Sequence, residues 1–105
     1  MKLNEAVPRR IKELCKEKGY TQYALSMKSG VPQSTLSTIL NCNFDSMKIR
    51  IIYEVCEGLE ISVKDFFDSP LFERENLIDW ILFVHRFFKR SIILQNSVIY
   101  DKMYV

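Results

Sequence analysis

His85, Cys15, Cys42 and Cys56 are the side chains of this 105-residue sequence best suited to metal binding or nucleophilic chemistry. Their spacing argues against both. The cysteines are odd in number and far apart, with no CxxC pair and no Cys/His cluster, so they build neither a disulfide framework nor a zinc site. Cys15 and Cys56 fall on apolar helical faces and read as small core residues, whereas Cys42 falls in a turn and is expected to be exposed. His85 lies on an apolar helical pattern and reads as a packed residue. No paired acids and no phosphate loop accompany it. The expectation is therefore a protein that is not an enzyme and uses no metal or cofactor. Free thiols, and an N-terminus (MKLNEAVPRR) without an apolar signal segment, point to the cytoplasm.

The chemistry that stands out is electrostatic. The net charge is only +2, but it is unevenly placed. Residues 1–50 carry nine Lys and Arg against four Asp and Glu. Residues 51–70 carry one Lys against five acids, and residues 71–105 are close to balanced. A basic front half on a nearly neutral chain suits an anionic partner that meets one face only.

The elements that would present this face are all helical. Val7, Ile11, Leu14 and Cys15 recur at helical spacing, so a first helix begins within residues 5–8 and ends at Lys18, before Gly19. Pro8 is expected in its first turn. Thr21 is a suitable N-cap for a second helix ending near Ser29, with Tyr20 placed to staple onto Leu25. Gly30 then breaks the chain, Val31 plugs the joint, and Pro32 opens a third helix whose inward residues are Leu36 and Ile39. A fourth helix over about 48–59 follows, capped by Asp45 or Ser46, and a short fifth, SVKDFF, starts at Ser62. No strand pattern appears within the first 70 residues.

Two helices of about eight residues are too short to stand alone. Joined by a tight glycine turn in GYTQYALSMKSGVPQSTLSTILNCN, they form a helix-turn-helix, which pushes its second helix outward to where a DNA major groove can receive it. Residues about 3–71 resemble the lambda-repressor-like, XRE-type (Cro and phage-repressor) DNA-binding domain. The resemblance rests on the TQ that starts helix 2, the G-V turn and the S-T-L of helix 3. It rests also on the later run IYEVCEGLEISVKDFFDSPLF, which is similar to the family's fourth helix, its G-L link and its closing FF helix.

The resemblance implies a five-helix fold and roles position by position. Gln22 matches the phosphate-contacting Gln at the start of helix 2, where helix amides also favour an anion. Gln33, Ser34 and Thr38 match groove-facing positions of helix 3. Gln can pair with adenine through two hydrogen bonds, and Ser or Thr can bond several base edges. Ser37 and Asn41 match positions near the DNA backbone, and Asn43, Lys48 and Arg50 are further candidates for phosphate contacts. Arg9, Arg10 and Lys12 on helix 1 read as solubilising charges. The sequence departs from the family pattern at four places. Cys42 stands where a Gly usually follows helix 3, so Asn41 or Asn43 is expected to supply the positive φ. Phe44 replaces a small polar residue, Pro32 replaces a Ser cap, and helix 3 carries no Arg or Lys.

The chain divides into a helix-turn-helix domain, 1–70, and an apolar extension, 71–105. In ENLIDWILFVHRFFKR, nine large apolar residues from Leu77 to Phe88 make a helix apolar on nearly every side, too short and too charged to span a bilayer. SIILQNSVIYDKMYV is rich in β-branched and aromatic residues and favours an extended arm or strand. One helix cannot turn all these residues to a single small core. A second copy of the chain is the simplest cover, and coverage of its own domain is the duller option. The expected function is a sequence-specific transcriptional regulator of double-stranded DNA. It would be a homodimeric repressor joined through residues 72–105, with no membrane role. The alternative is an antitoxin-like interaction module whose tail folds against a second protein.

Overall fold

The computed structural model describes the backbone of residues 1–94. Six α-helices follow one another: α1 (Leu3–Lys18), α2 (Gln22–Ser29), α3 (Gln33–Leu40), α4 (Ile49–Leu59), α5 (Val63–Phe67) and α6 (Asp79–Leu94). Two short 3-10 turns, Pro70–Phe72 and Arg74–Asn76, link α5 to α6. There is no strand among the described residues, as the all-α expectation required.

Helix α1 starts earlier than its sequence suggests, and Pro8 lies inside it, beyond the first turn. The missing Pro8 N–H costs a bond to the Asn4 carbonyl. External ties hold the first turn in compensation. The Leu3 N–H donates to Asp79 Oδ1 at 2.7 Å, and Asn4 Nδ2 donates to the Phe44 carbonyl at 2.8 Å. Gly19 ends α1 in the left-handed region at φ 71°, with the Tyr20 N–H returning to the Cys15 carbonyl at 2.8 Å.

The core gathers one face from each of the first five helices. Val7, Ile11 and Leu14 of α1 meet Leu25 of α2, Val31 of the turn, Leu36 and Ile39 of α3, Val55, Cys56 and Leu59 of α4, and Phe66 of α5. Each large side chain so buried contributes about 1.5–3 kcal/mol. Phe67 and Phe72 extend the cluster, with ring centroids 4.8 Å apart. Helices α2 and α4 are the most extensively packed pair. Gly58 permits their approach: a Cβ built there would lie 2.8 Å from the Cβ and backbone nitrogen of Ser29. No side-chain cap from Asp45 or Ser46 reaches α4. Lys48 occupies its N-cap position without a capping bond, and Glu60 closes its C-terminus at φ 59°.

Arg10 is not a solubilising charge. Its Nε donates to the Phe66 carbonyl at 2.8 Å and its Nη2 to the Asp65 carbonyl at 2.9 Å. It therefore clasps α1 to the last turn of α5, where the Asp65 carbonyl also accepts the Asp68 N–H at 3.3 Å. A loose pair with Glu13 at 3.6 Å completes its surroundings.

Helix α6 runs through Ser91–Leu94, where an extended arm is expected from sequence; β-branched propensity is a weak constraint against a helix already under way. The remainder of that arm, residues 95–105, lies outside the described residues. Among the described side chains of α6, none is buried. Ile81, Leu82 and Phe83 are 49, 45 and 70 % exposed. His85 is exposed too, not packed as its apolar setting suggests. The base of α6 is fixed by the chain's start: the Met1 ammonium donates to the Asn76 carbonyl at 2.8 Å, and the Ile78 N–H to the Met1 carbonyl at 2.9 Å. The Arg74 guanidinium lies 5.0 Å from the centre of the Trp80 ring. No helix among the described residues is long and apolar enough to cross a membrane.

Candidate nucleic-acid interface

Helix α2 is begun by Thr21, whose Oγ1 accepts the Ala24 N–H at 3.1 Å. It is ended by Gly30, at φ 76°. The turn is fastened from both sides. Ser26 Oγ donates to the Val31 carbonyl at 2.7 Å, and the Val31 N–H donates to Ser29 Oγ at 3.2 Å. With Val31 buried as the plug, α3 leaves the turn in a fixed direction. Pro32 sits at its N-cap, one residue outside the helix it was expected to open, and makes no capping bond. The first amides of α3 thus keep their donors free of a side-chain cap.

Leu36 and Ile39 bury one side of α3. At 100° per residue, Gln33, Ser34, Ser37, Thr38 and Asn41 span an arc of about 140° on the other. Gln33, Ser34, Thr38 and Asn41 are exposed, and Ser37 is half-buried. Gln22 joins this group from α2: its Nε2 donates to the Gln33 carbonyl at 3.3 Å, bringing the starts of both helices together. Thr38 Oγ1 donates to the Ser34 carbonyl at 3.0 Å, and Asn41 Nδ2 to Ser37 Oγ at 3.4 Å. These i, i+4 bonds arrange the polar face in two rows.

The chain after α3 holds a correction. Cys42 itself takes the left-handed conformation, at φ 57°, while Asn41 stays at φ −89°. The Cys42 N–H returns to the Ile39 carbonyl and the Asn43 N–H to the Thr38 carbonyl, each at 3.0 Å. These bonds over-determine the turn and hold a cysteine where a glycine would sit without strain. Cys42 and Asn43 are exposed, whereas Phe44 turns inward against the core. Lys48 and Arg50 stand apart from the α3 rows, at the start of α4. Arg50 Nε pairs with Glu54 at 3.1 Å, an exposed i, i+4 bridge worth about 0.3–0.5 kcal/mol. Arg50 is exposed and Lys48 is exposed beside it.

The thiols of Cys15 and Cys56 are held protonated: burial raises both, and for Cys56 burial with the nearby Glu57 charge raises the pKa to about 11. Among the described residues, no group of His, Cys, Asp and Glu is placed to hold a metal ion.

Solved structures share this architecture. The wild-type restriction-modification controller protein C.Esp1396I is 33% identical with a TM-score of 0.58, over 63% of this chain and 84% of that one. A tyrosine-to-phenylalanine point mutant of the same controller matches at 32% identity and TM-score 0.58, over 78% of this chain and 96% of that one. No curated protein matches the chain. The Cro/C1-type helix-turn-helix DNA-binding domain model matches residues 10–70, a span that includes the α2–turn–α3 unit, its polar α3 face and the helices that support it, and the chain belongs to that family.

Proposed function

We propose that this protein is a homodimeric transcriptional repressor that reads operator DNA with α3. The family supplies the coarser statement, a DNA-binding transcriptional regulator. The observation that carries the finer one is the five-residue polar face of α3, anchored at its start by the Gln22–Gln33 bond. In this reading Gln33, Ser34 and Thr38 meet base edges, and Gln22, Ser37, Asn41, Asn43, Lys48 and Arg50 meet the backbone. Similarity to restriction-modification controller proteins supports a regulatory role. The pairing element is α6, whose exposed apolar side chains offer a second copy a surface to cover. A symmetric pair would set two copies of α3 about 34 Å apart, one turn of DNA.

Selection of duplexes from a random pool tests the reading. An enriched two-fold symmetric site supports it, and no enrichment favours the antitoxin-like module. Sedimentation of the full chain and of an Ile81→Glu/Phe83→Glu variant tests the pairing. A dimer that becomes a monomer supports it. A dimer that persists moves the interface elsewhere, for which the exposed Ile49 and Tyr53 of α4 are available.

A further inference from the structure

Helix α1 reads from sequence as a carrier of solubilising charge, yet the fold sets its cations beside the helix-turn-helix. Arg9, Lys12 and Lys16 are spaced i, i+3 and i+7 on α1, so they share one face over about 10 Å. All three are exposed. Two shallow clefts run along this face. One places Lys12 and Lys16 with Tyr20 and Gln22, over a floor that includes Leu40 at the end of α3. The other places Arg9 and Lys12 beside Cys42, in the turn after α3. Lys12 lies in both. The stripe therefore follows α3 from its last turn to the helix start that carries Gln22.

We propose that Lys12 and Lys16 bind backbone phosphates of the DNA strand that borders the groove entered by α3. The inference rests on the DNA-binding reading above and extends its contact surface to α1. Three observations choose phosphate as the ligand. The cleft joins two ammonium groups to the Gln22 amide, a set that offers hydrogen-bond donors and positive charge to an oxyanion. Helix α3 carries no cation of its own, so charge for the backbone must come from neighbouring elements. The nearby carboxylates are largely placed elsewhere: Glu13 pairs with Arg10, and Glu5 lines only the far cleft, beside Arg9. No carboxylate lines the cleft that holds both Lys12 and Lys16, which leaves these two as the effective pair. Both follow a phosphate atmosphere and not a base sequence, so they add affinity without selectivity.

The test is the salt dependence of binding by the full chain, measured on a duplex selected from the random pool and on an unrelated duplex of equal length. Lys12→Ala and Lys16→Ala should each lower the slope of log K against log[salt] by about 0.9, on both duplexes alike. Each variant should keep the wild-type melting temperature and helical circular dichroism, since both side chains are exposed. Unchanged slopes in both variants, with wild-type binding intact, overturn the proposal and leave the DNA-binding reading standing. A slope lowered only on the selected duplex also overturns it, because a phosphate contact is indifferent to sequence. Failure of the wild-type chain to bind either duplex defeats the underlying reading itself.

Discussion

Gly58→Ala should destabilise the protein, although the same exchange normally strengthens a helix interior. Alanine is favoured over glycine there by about 0.8–1.0 kcal/mol. The structure sets a larger opposing term. The new Cβ would meet three atoms of Ser29, at 2.8 Å from Cβ, 2.8 Å from the backbone nitrogen and 2.9 Å from Cα. Carbon atoms pack at about 3.5–4.0 Å, so α2 and α4 must separate by about 0.7 Å. Two of the three atoms are backbone, and no rotamer change can clear them. Overpacking of this kind costs about 1–3 kcal/mol. The net expectation is a loss of up to about 2 kcal/mol, read as a melting temperature lower by about 4–8 °C for each kcal/mol. Because Ser29 also bonds the turn at Val31, the displacement reaches the joint that aims α3, and DNA affinity should fall with stability. Gly30→Ala is the contrast: its Cβ enters open space and the cost is backbone strain alone, about 1–2 kcal/mol. A Gly58→Ala protein that melts at or above the wild-type temperature would refute the reasoning.

Gln33→Ala should cost about 1–3 kcal/mol on the selected site and blur preference at one base pair, with random DNA little affected; binding titrations against single-base variants measure this. Arg10→Ala removes two donors from the α5 carbonyls and should cost about 1.5–3 kcal/mol in denaturant unfolding, with Arg10→Lys a poor rescue because a single ammonium cannot reproduce the fork. Cys42→Gly should stabilise the fold by about 1 kcal/mol, since glycine takes φ 57° without strain; its thermal midpoint measures this. For Cys56 the folded pKa lies above the ordinary 9.0, so stability tied to that thiol is complete below pH 9 and declines as pH rises toward 11. Native-state alkylation at about pH 8 should accordingly mark Cys42 long before Cys56.

The helix-turn-helix is readable because its signals are local. Thr21 as cap, Gly30 as breaker and the inward Leu36 and Ile39 each act within one or two turns of chain. What escapes the sequence is set by contacts distant along the chain. Arg10 looks like any surface charge until the fold brings carbonyls 55 and 56 residues away to its guanidinium. Lys12 reads as a solubilising charge for the same reason, although its i, i+4 spacing to Lys16 is a visible sign of a shared face. The start of α1 is hidden because Asp79 and Phe44 support the turn ahead of Pro8. Cys42 runs against the preference of the positive-φ region, and only the bonds converging on that turn explain why Asn41 and Asn43 are passed over.

The bond from Thr38 Oγ1 to the Ser34 carbonyl bears on what kind of base the helix can greet. A hydroxyl has one hydrogen, and here the helix itself consumes it. While that bond is kept, Thr38 would offer a groove lone pairs only and has nothing to give. Its natural counterpart is then an exocyclic amine, N6 of adenine or N4 of cytosine, and the oxygens of guanine and thymine meet an oxygen in return. Ser37 stands in the opposite position: its oxygen accepts from Asn41, so its hydrogen stays available to a phosphate. Two hydroxyls one residue apart would thus address DNA with opposite polarity.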